Sequence, residues 1–313
     1  MRVSTTNPHI LPYGETAIAE AARLIAAGGC VAVPTETVYG LAADATDARA
    51  VAGIYEAKGR PSFNPLIVHV PDLAAAERIA MFDDAARDLA QRFWPGPLTL
   101  VLPLREDSGI ASLVTAGLGT VAVRVPRHRA MQALLAATGT PLAAPSANAS
   151  GAISPTRAIH VARSLAGRIP LVIDDGQTQA GLESTIVAGR EILRPGPLTS
   201  EMLFPGEDAG PKSEPGSQPI SAPGQLASHY APRKPLRLNA LDWQEGEWLI
   251  AFGDMAGDDN LSPSGDVTEA AASLFDSLHH ADRSPHPRIA IAPIPATGIG
   301  VAINDRLTRA AHR

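Results

Sequence analysis

Cysteine is almost missing from this chain of 313 residues: Cys30 stands alone, which excludes an intramolecular disulfide and any cysteine-rich zinc site. In "GGCVAVPTE" it opens an apolar run, so a packed core thiol is expected there. Lysine is almost missing too. Of 26 Lys and Arg residues only Lys58, Lys212 and Lys234 are lysines, so the chain otherwise writes positive charge as arginine. No apolar run approaches the roughly 20 residues that span a bilayer. The segment "MRVSTTNPHILPYGET" has neither the basic nor the apolar part of a secretion signal, and the sequence reads as cytoplasmic, with no membrane partner. The histidines include no pair at metal-ligand spacing in an acidic setting, so no protein-held metal is expected; the adjacent His279 and His280 read as surface positions near a helix end. There is no basic tail. Through Glu201 the chain carries 17 basic against 18 acidic residues, beyond it 9 against 14, giving a net charge of −6, and aromatic residues do not interleave with basic ones. Stable binding of a long nucleic acid is not expected. The G-x-x-x-x-G-K-[ST] loop, the G-x-G-x-x-G turn, the G-x-S-x-G elbow and the H-E-x-x-H helix are all absent.

What is present is alternation. From Glu15 to Phe204, helical stretches such as "ETAIAEAARLIAAGG", "DDAARDLAQRFW", "RHRAMQALLAATG" and "TRAIHVARSLAG" alternate with strand-like runs, "CVAV", "PLIVHV", "PLTLVLPL", "TVAVRVP", "PLAAP", "PLVIDD" and "STIVAG". This predicts an α/β domain over residues 1–204, a twisted mixed sheet with flanking helices. Between Pro205 and Gly224 five prolines and four glycines interrupt a polar segment, so residues 205–235 are expected to form a linker. Beyond it "WLIAFG", "VTEAAASLFDSLHHA", "RIAIAPI" and "GIGVAINDRLTRAAH" form a βαβα series, predicting a smaller Rossmann-like α/β domain over residues 236–313.

Polar groups collect where strands and helices end. "DARAVAGIYEAKG" has a cap-type Asp47, helical spacing of Val51, Ile54 and Tyr55, and a stop at Gly59. Pro61 bars continuation, so Lys58, Arg60 and Asn64 fall on a helix-to-strand corner. Cations there complement the helix dipole and could equally present a compact ammonium and a guanidinium fork to a ligand. In "VPTETVYG", Thr35 and Thr37 share one side of an extended chain that Tyr39 and Gly40 turn; in "LAAPSANASG", Ser146, Asn148 and Ser150 share one side of another. Such groups suit a small ligand and are also ordinary turn formers. His69, Arg124 and Arg194 interrupt apolar strands. A buried arginine needs an acidic neighbour or an anionic ligand.

Together, "PTETVYGL", "KGRPSFNPLIVHV", "FWPGPLTLVL", "TVAVRVP", "PSANASG", "LESTIV", "APGQLASHYAPRKPL" and "NLSPSGD...APIP...GIGVAINDRL" resemble the L-threonylcarbamoyladenylate synthase family in its longer, two-domain form. The resemblance runs from about Glu15 onward, with its motifs in order. It implies condensation of L-threonine, bicarbonate and ATP to threonylcarbamoyl-AMP with release of pyrophosphate, Mg²⁺ accompanying the ATP, and delivery of the product to a transferase that modifies tRNA adenosine beside the anticodon. It places Lys58 and Arg60 as catalytic and nucleotide-binding residues, with Asn64, Thr120, Ser146, Asn148, Ser154 and Arg194 further nucleotide contacts. Thr37, His69, Arg124, Ala144 and Ser184 match positions around threonine. His229 and Tyr230 match an interdomain pair that reaches back to the site as a lid. Ala222 stands where the family often has serine.

Nothing in the chain resembles an activated covalent nucleophile, so catalysis is expected to rest on positioning and charge neutralisation. An RNA-binding module using the same concavity is the reading of another class; the acidic balance counts against it. A carbamoyl-adenylate enzyme with another acceptor would bring zinc-finger and acylphosphatase-type segments, and these are missing.

Overall fold

In the computed structural model, which describes residues 7–206 and 229–312, the apolar runs pair into one large sheet. Its strands are β1 His9–Pro12, β2 Val31–Pro34, β3 Tyr39–Asp44, β4 Ile67–His69, β5 Leu98–Pro103, β6 Thr120–Arg124, β7 Leu142–Ala143, β8 Leu171–Asp174, β9 Thr185–Ala188 and β10 Glu191–Arg194. Their spatial order is β1-β8-β2-β3-β7-β4-β6-β5-β9-β10, with parallel and antiparallel neighbours mixed. The helices between them are α1 Glu15–Ala26, α2 Ala48–Lys58, α3 Leu73–Glu77, α4 Asp84–Phe93, α5 Ser112–Thr115, α6 Arg129–Thr138, α7 Ala158–Ser164 and α8 Ser200–Leu203. Beyond residue 229, strands β11 Leu236–Arg237, β12 Glu247–Ala251, β13 Asp259–Asn260 and β14 Arg288–Ile291 form a wholly parallel sheet in the order β11-β14-β12-β13. Helices α9 Val267–Arg283 and α10 Gly300–Ala311 complete this second unit.

Alternation decides which face each residue serves. Val68 and Val123 join Val51 and Ile54 of α2 and Leu89 of α4 in the main core. On the opposite face, α1 and α6 pack over Val31, Val33, Leu142 and Ile173. The remainder of that face carries Ile67, Val101, Ala122 and Ile186, in line with His69 and Arg124, which are register partners on β4 and β6. The site lies over this part of the sheet. A fourth cluster joins the two units: Val38, Ile153 and Leu182 pack with Tyr230, Phe275, Leu278, Ile303 and Leu307.

Local chemistry follows the sequence at α2. Asp47 accepts a hydrogen bond from Arg49 N at 2.8 Å, and Gly59 ends the helix in the left-handed region at φ 60°. Three expectations change. β1 lies ahead of Glu15, where no strand was read. Tyr39 and Gly40 do not turn the chain: they begin β3, and the turn falls on residues 35–38. β3 is buried against β2 and β7, and a Cβ on Gly40 would lie 3.3 Å from Ala144 Cβ, so small residues are what let this strand fit. His279 is no surface residue. Its ring stacks on buried His160 at 3.8 Å, at the junction of the two units. Cys30 is buried as expected, its Sγ 3.7 Å from Ala50 O, and burial pushes the thiol up to about 12. No helix among the described residues is long and apolar enough to cross a membrane. Most of the Pro/Gly-rich linker, including Ala222, lies outside the described residues.

Candidate active site

Over the open part of the sheet lies a cleft of about 550 Å³, its open mouth included. Its first wall is the turn before β3. Thr35 Oγ1 donates to Val38 O at 2.7 Å and accepts from the backbone N–H groups of Thr37 and Val38, both at 3.2 Å, closing a tight hydroxyl turn. The Thr35 and Thr37 hydroxyls are 2.7 Å apart. They share one side because of this turn; the chain is not extended here.

Arg124, at the end of β6, meets that wall. It is 3% exposed, and it donates to Thr37 Oγ1 at 2.9 Å and to Gly96 O at 3.1 Å. Its Nη2 stands 2.7 Å from Glu36 Oε1, an ion pair whose angles fall outside hydrogen-bond geometry. The acidic neighbour that a buried arginine requires is therefore Glu36. Burial raises Glu36, but the attraction of Arg124, with the backbone N–H groups of Glu36 and Arg127, outweighs it and holds the carboxyl below its ordinary value. His69 lines the same wall. Burial and then Arg124 lower it to about 3, so the ring is neutral, and its Nδ1 has no partner among the described residues.

The second wall is the "PSAN" loop. Backbone bonds from Leu41 N to Pro145 O and from Ala147 N to Tyr39 O, at 2.7 Å each, lay it against β3, so Ala144 and Ser146 line the cleft. The loop turns; it does not extend. Asn148 points its amide into the loop, donating to Ala152 O at 2.8 Å and Ala149 O at 3.1 Å, and does not line the cleft. Lys58 is also away from the lining. It is 2% exposed, and its Nζ donates to Ser146 O and Asn148 O at 2.6 Å each. Burial, then Arg60, pushes its pKa well below the ordinary lysine range. Arg60 does line the cleft, braced by Asn64 O at 3.2 Å and Pro65 O at 3.0 Å, and burial lowers it to about 10. Asn64 is buried with neither side-chain polar atom partnered among the described residues.

The third wall comes from Glu183 and Ser184, just before β9, and from Arg194 at the end of β10. Arg194 donates through Nε and Nη2 to Ser184 O, at 3.1 and 2.9 Å, and through Nη2 to Ser184 Oγ at 3.1 Å. Ser184 Oγ lies 2.7 Å from Thr99 Oγ1. His229 and Tyr230 also line the cleft, their rings edge to face at 4.0 Å, with Tyr230 at φ 63°. His229 Nδ1 and Tyr230 OH are buried without partners among the described residues, and burial lowers the imidazole to about 3. Ser154 reaches the lining indirectly, donating to Glu183 Oε1 at 2.5 Å. Thr120 begins β6, at the other end of the strand from Arg124, roughly 13 Å away at 3.3 Å per residue, and is not in the lining.

Glu36 and Glu183 escaped the sequence reading, as did Gly196. Glu36 sits between two threonines that drew attention for their hydroxyls. Glu183 stands in "LESTIV", but its partners are Ser154 and Arg306, far away in sequence. Gly196 touches the site through backbone: a Cβ there would meet Thr185 N at 2.4 Å and Glu183 O at 2.7 Å.

Comparison with known proteins covers both units of the chain. Residues 23–196 match a family model described as telomere recombination, and residues 190–312 match one described as the threonylcarbamoyl-AMP synthase C-terminal domain. The threonylcarbamoyl-AMP synthase of Bacillus subtilis is 41% identical, over 96% of this chain and 94% of its own. That of Pyrococcus abyssi is 41% identical over 93% and 92%. The crystal structure of P. abyssi Sua5 complexed with L-threonine superposes with a TM-score of 0.85 at 37% identity, covering 97% of each chain. Likeness of this extent, in sequence and in fold, spans both sheets and every wall of the cleft, and the chain belongs to the threonylcarbamoyl-AMP synthase family.

Proposed function

We propose that this chain is an ATP-dependent nucleotidyltransferase that converts L-threonine and bicarbonate to L-threonylcarbamoyl-AMP and releases pyrophosphate. The observation that carries this reading is the cleft itself: a single lining brings together hydroxyls, a neutral imidazole and Arg124 with Arg60 and Arg194. These suit an amino acid and a polyphosphate side by side.

Chemically, the ammonium of threonine gives up a proton, and the neutral amine forms an N–C bond to the carbon of bicarbonate as a C–O bond breaks and water leaves, giving a carbamate. A carbamate oxygen then attacks the α-phosphorus of ATP, and the P–O bond to the β-phosphate breaks. Both reactants are anionic, so their repulsion is the obstacle, and fixed cations in a partly desolvated cleft lower it without reorganising. Arg60 and Arg194 would face the phosphates. Lys58 would act through the loop it holds, keeping Ser146 against the nucleotide, with Asn64, Asn148 and Ser154 bracing the same side. Thr120 would contact nucleotide only if the ligand extended beyond the cleft. Thr37, Ala144 and Ser184 would frame the threonine side chain, Arg124 its carboxylate, and neutral His69 would offer an acceptor to its amine.

The residues present do not build a magnesium cage. Among the described residues no three His, Cys, Asp or Glu side chains converge, and the carboxylate lining the cleft, Glu183, is held by Arg306. Magnesium would arrive on the phosphates of ATP, mostly water-ligated, as part of the substrate. In this reading residues 1–204 form the catalytic domain and residues 205–235 a linker whose His229 and Tyr230 close over the site, with residues 236–313 anchoring it. The product would pass to a separate cytoplasmic tRNA threonylcarbamoyl-transferase, this chain holding no tRNA stably.

The test is pyrophosphate release by the purified protein with ATP, L-threonine and bicarbonate, and with each omitted in turn. Release should require all three, and threonylcarbamoyl-AMP should appear in equal amount. Release that continues unchanged without threonine would overturn the reading.

A further inference from the structure

Arg306 belongs to α10 of the second unit, has no exposed surface, and bonds across the junction to the wall of the cleft. Its Nε donates to Glu183 Oε2 at 2.9 Å, its Nη1 to Asp305 Oδ2 at 2.7 Å, and its guanidinium carbon lies 5.2 Å from the centre of the Tyr230 ring. Glu183 is 6% exposed and lines the cleft with Arg60 and Arg194. Its second oxygen accepts from Ser154 Oγ at 2.5 Å. The same helix fixes His229, whose backbone N donates to Arg309 O at 3.3 Å.

A carboxylate is an odd lining for a site that must hold a polyphosphate. Left alone it would repel the phosphates and draw the neighbouring cations to itself, and an unpaired buried charge is costly in its own right. Engagement of both oxygens, one by a guanidinium and one by a hydroxyl, removes the conflict. Burial raises the Glu183 carboxyl, but Arg306, Arg194 and the Ser154 hydrogen bond outweigh it and keep it ionised.

We propose that Arg306 is a positioning residue for the reaction: supplied by the C-terminal domain, it neutralises and orients Glu183 so that Arg60 and Arg194 remain directed to the nucleotide, which makes that domain part of the catalytic unit. The inference rests on the ATP-dependent reading above. It differs from a purely structural anchor in what it says about charge, because a neutral residue at position 183 should make Arg306 dispensable for nucleotide binding.

The experiment compares wild type, Arg306→Met, Arg306→Lys, Glu183→Gln and the Glu183→Gln/Arg306→Met pair. It reads ATP affinity by calorimetry, KM for ATP and for threonine, and melting temperature. Arg306→Met should weaken ATP binding about tenfold or more, the size of a lost charged hydrogen bond, while KM for threonine changes little. Arg306→Lys should retain most of the affinity. The double variant should bind ATP within about threefold of Glu183→Gln. Arg306→Met that only melts earlier, or a double variant no better than Arg306→Met, would overturn the proposal. Should Arg306→Met fail to fold, the double variant against Glu183→Gln decides alone, since it leaves no unpaired charge. A wild type that binds no ATP and releases no pyrophosphate defeats the functional reading instead, so the two failures are distinguishable.

Discussion

Lys58 and Arg60 are separated by one glycine and held in opposite ways, so substitutions at them should fail differently. Lys58 Nζ donates to both Ser146 O and Asn148 O, each at 2.6 Å. Lys58→Ala leaves Asn148 O without this donor, at about 1–3 kcal/mol for a buried group left unsatisfied, leaves Ser146 O with only the Asn148 N–H at 3.0 Å, and frees the loop that carries Ser146. It should lose stability and activity together. Arg60 is half-buried and donates to carbonyls of its own corner, Asn64 O and Pro65 O. Arg60→Ala should therefore keep the fold within about 1 kcal/mol while lowering kcat/KM by roughly 10²-fold, the scale of a preorganised charge contact. Denaturant titration and steady-state kinetics on the two variants check this. The reverse pattern, with Lys58→Ala stable and Arg60→Ala unfolded, would mean the two cations have been assigned to the wrong jobs.

At the scale of elements, the sequence made some things plain and hid others for physical reasons. Apolar runs such as "LIVHV" and "TVAVRVP" were legible as strands because a strand buried in a sheet must be apolar along its length, and α2 was legible because its cap and stop residues act locally. β3 was not legible. In "YGLAAD" the small residues Gly40, Ala42 and Ala43 dilute the β signal of Tyr39 and Leu41, and the approach of Ala144 at 3.3 Å explains the glycine. Arg124 was recognisable as a charge needing a partner, but the partner, Glu36, lies 88 positions back, and no local pattern ties them. Gly196 was hidden for the same reason, since its neighbours are backbone atoms of the 183–185 segment, one of them 2.4 Å from where its Cβ would stand. Gly196→Ala must push aside the backbone carrying both Glu183 and Ser184. It should cost about 1–3 kcal/mol as an overpacked site and raise KM for ATP and threonine together. Gly119→Ala, where a Cβ meets nothing within 4 Å, is the matched control and should change neither. Calorimetric melting and substrate titration of the two variants decide the point, and equal behaviour would mean that the backbone at Gly196 relaxes without cost.

At the scale of the whole molecule, the two units are joined by an apolar cluster and by polar contacts that respond to acid. Arg157 binds both oxygens of Asp276, at 2.8 and 3.1 Å, bringing α9 to the loop before α7. His160 stacks on His279, which lies 3.1 Å from Ser154 O. Burial, then the His279 charge, lowers His160 to about 2, with Arg157, Arg163 and His280 adding to the effect. Burial lowers His279 to about 4, against the hydrogen bond to Ser154 and the charges of Asp276 and Asp282. Both rings are neutral in the folded protein, whereas an unfolded histidine protonates near its ordinary value of about 6.5. Between those limits the unfolded chain binds more protons, so stability is fully present above about pH 6.5 and is lost as pH falls towards 4, by up to about 1.4 kcal/mol per pH unit for each histidine. His69 and His229, both at about 3, contribute with the same sign but lie at the cleft, so they do not report on the junction. His160→Phe and His279→Phe do. Each keeps a flat ring in the stack and deletes one titration, so each should flatten the slope of unfolding free energy between pH 6.5 and pH 5 by about one proton, read from urea titrations across that range. A slope unchanged in both variants would show that the acid sensitivity of the chain arises elsewhere than at the contact between its two units.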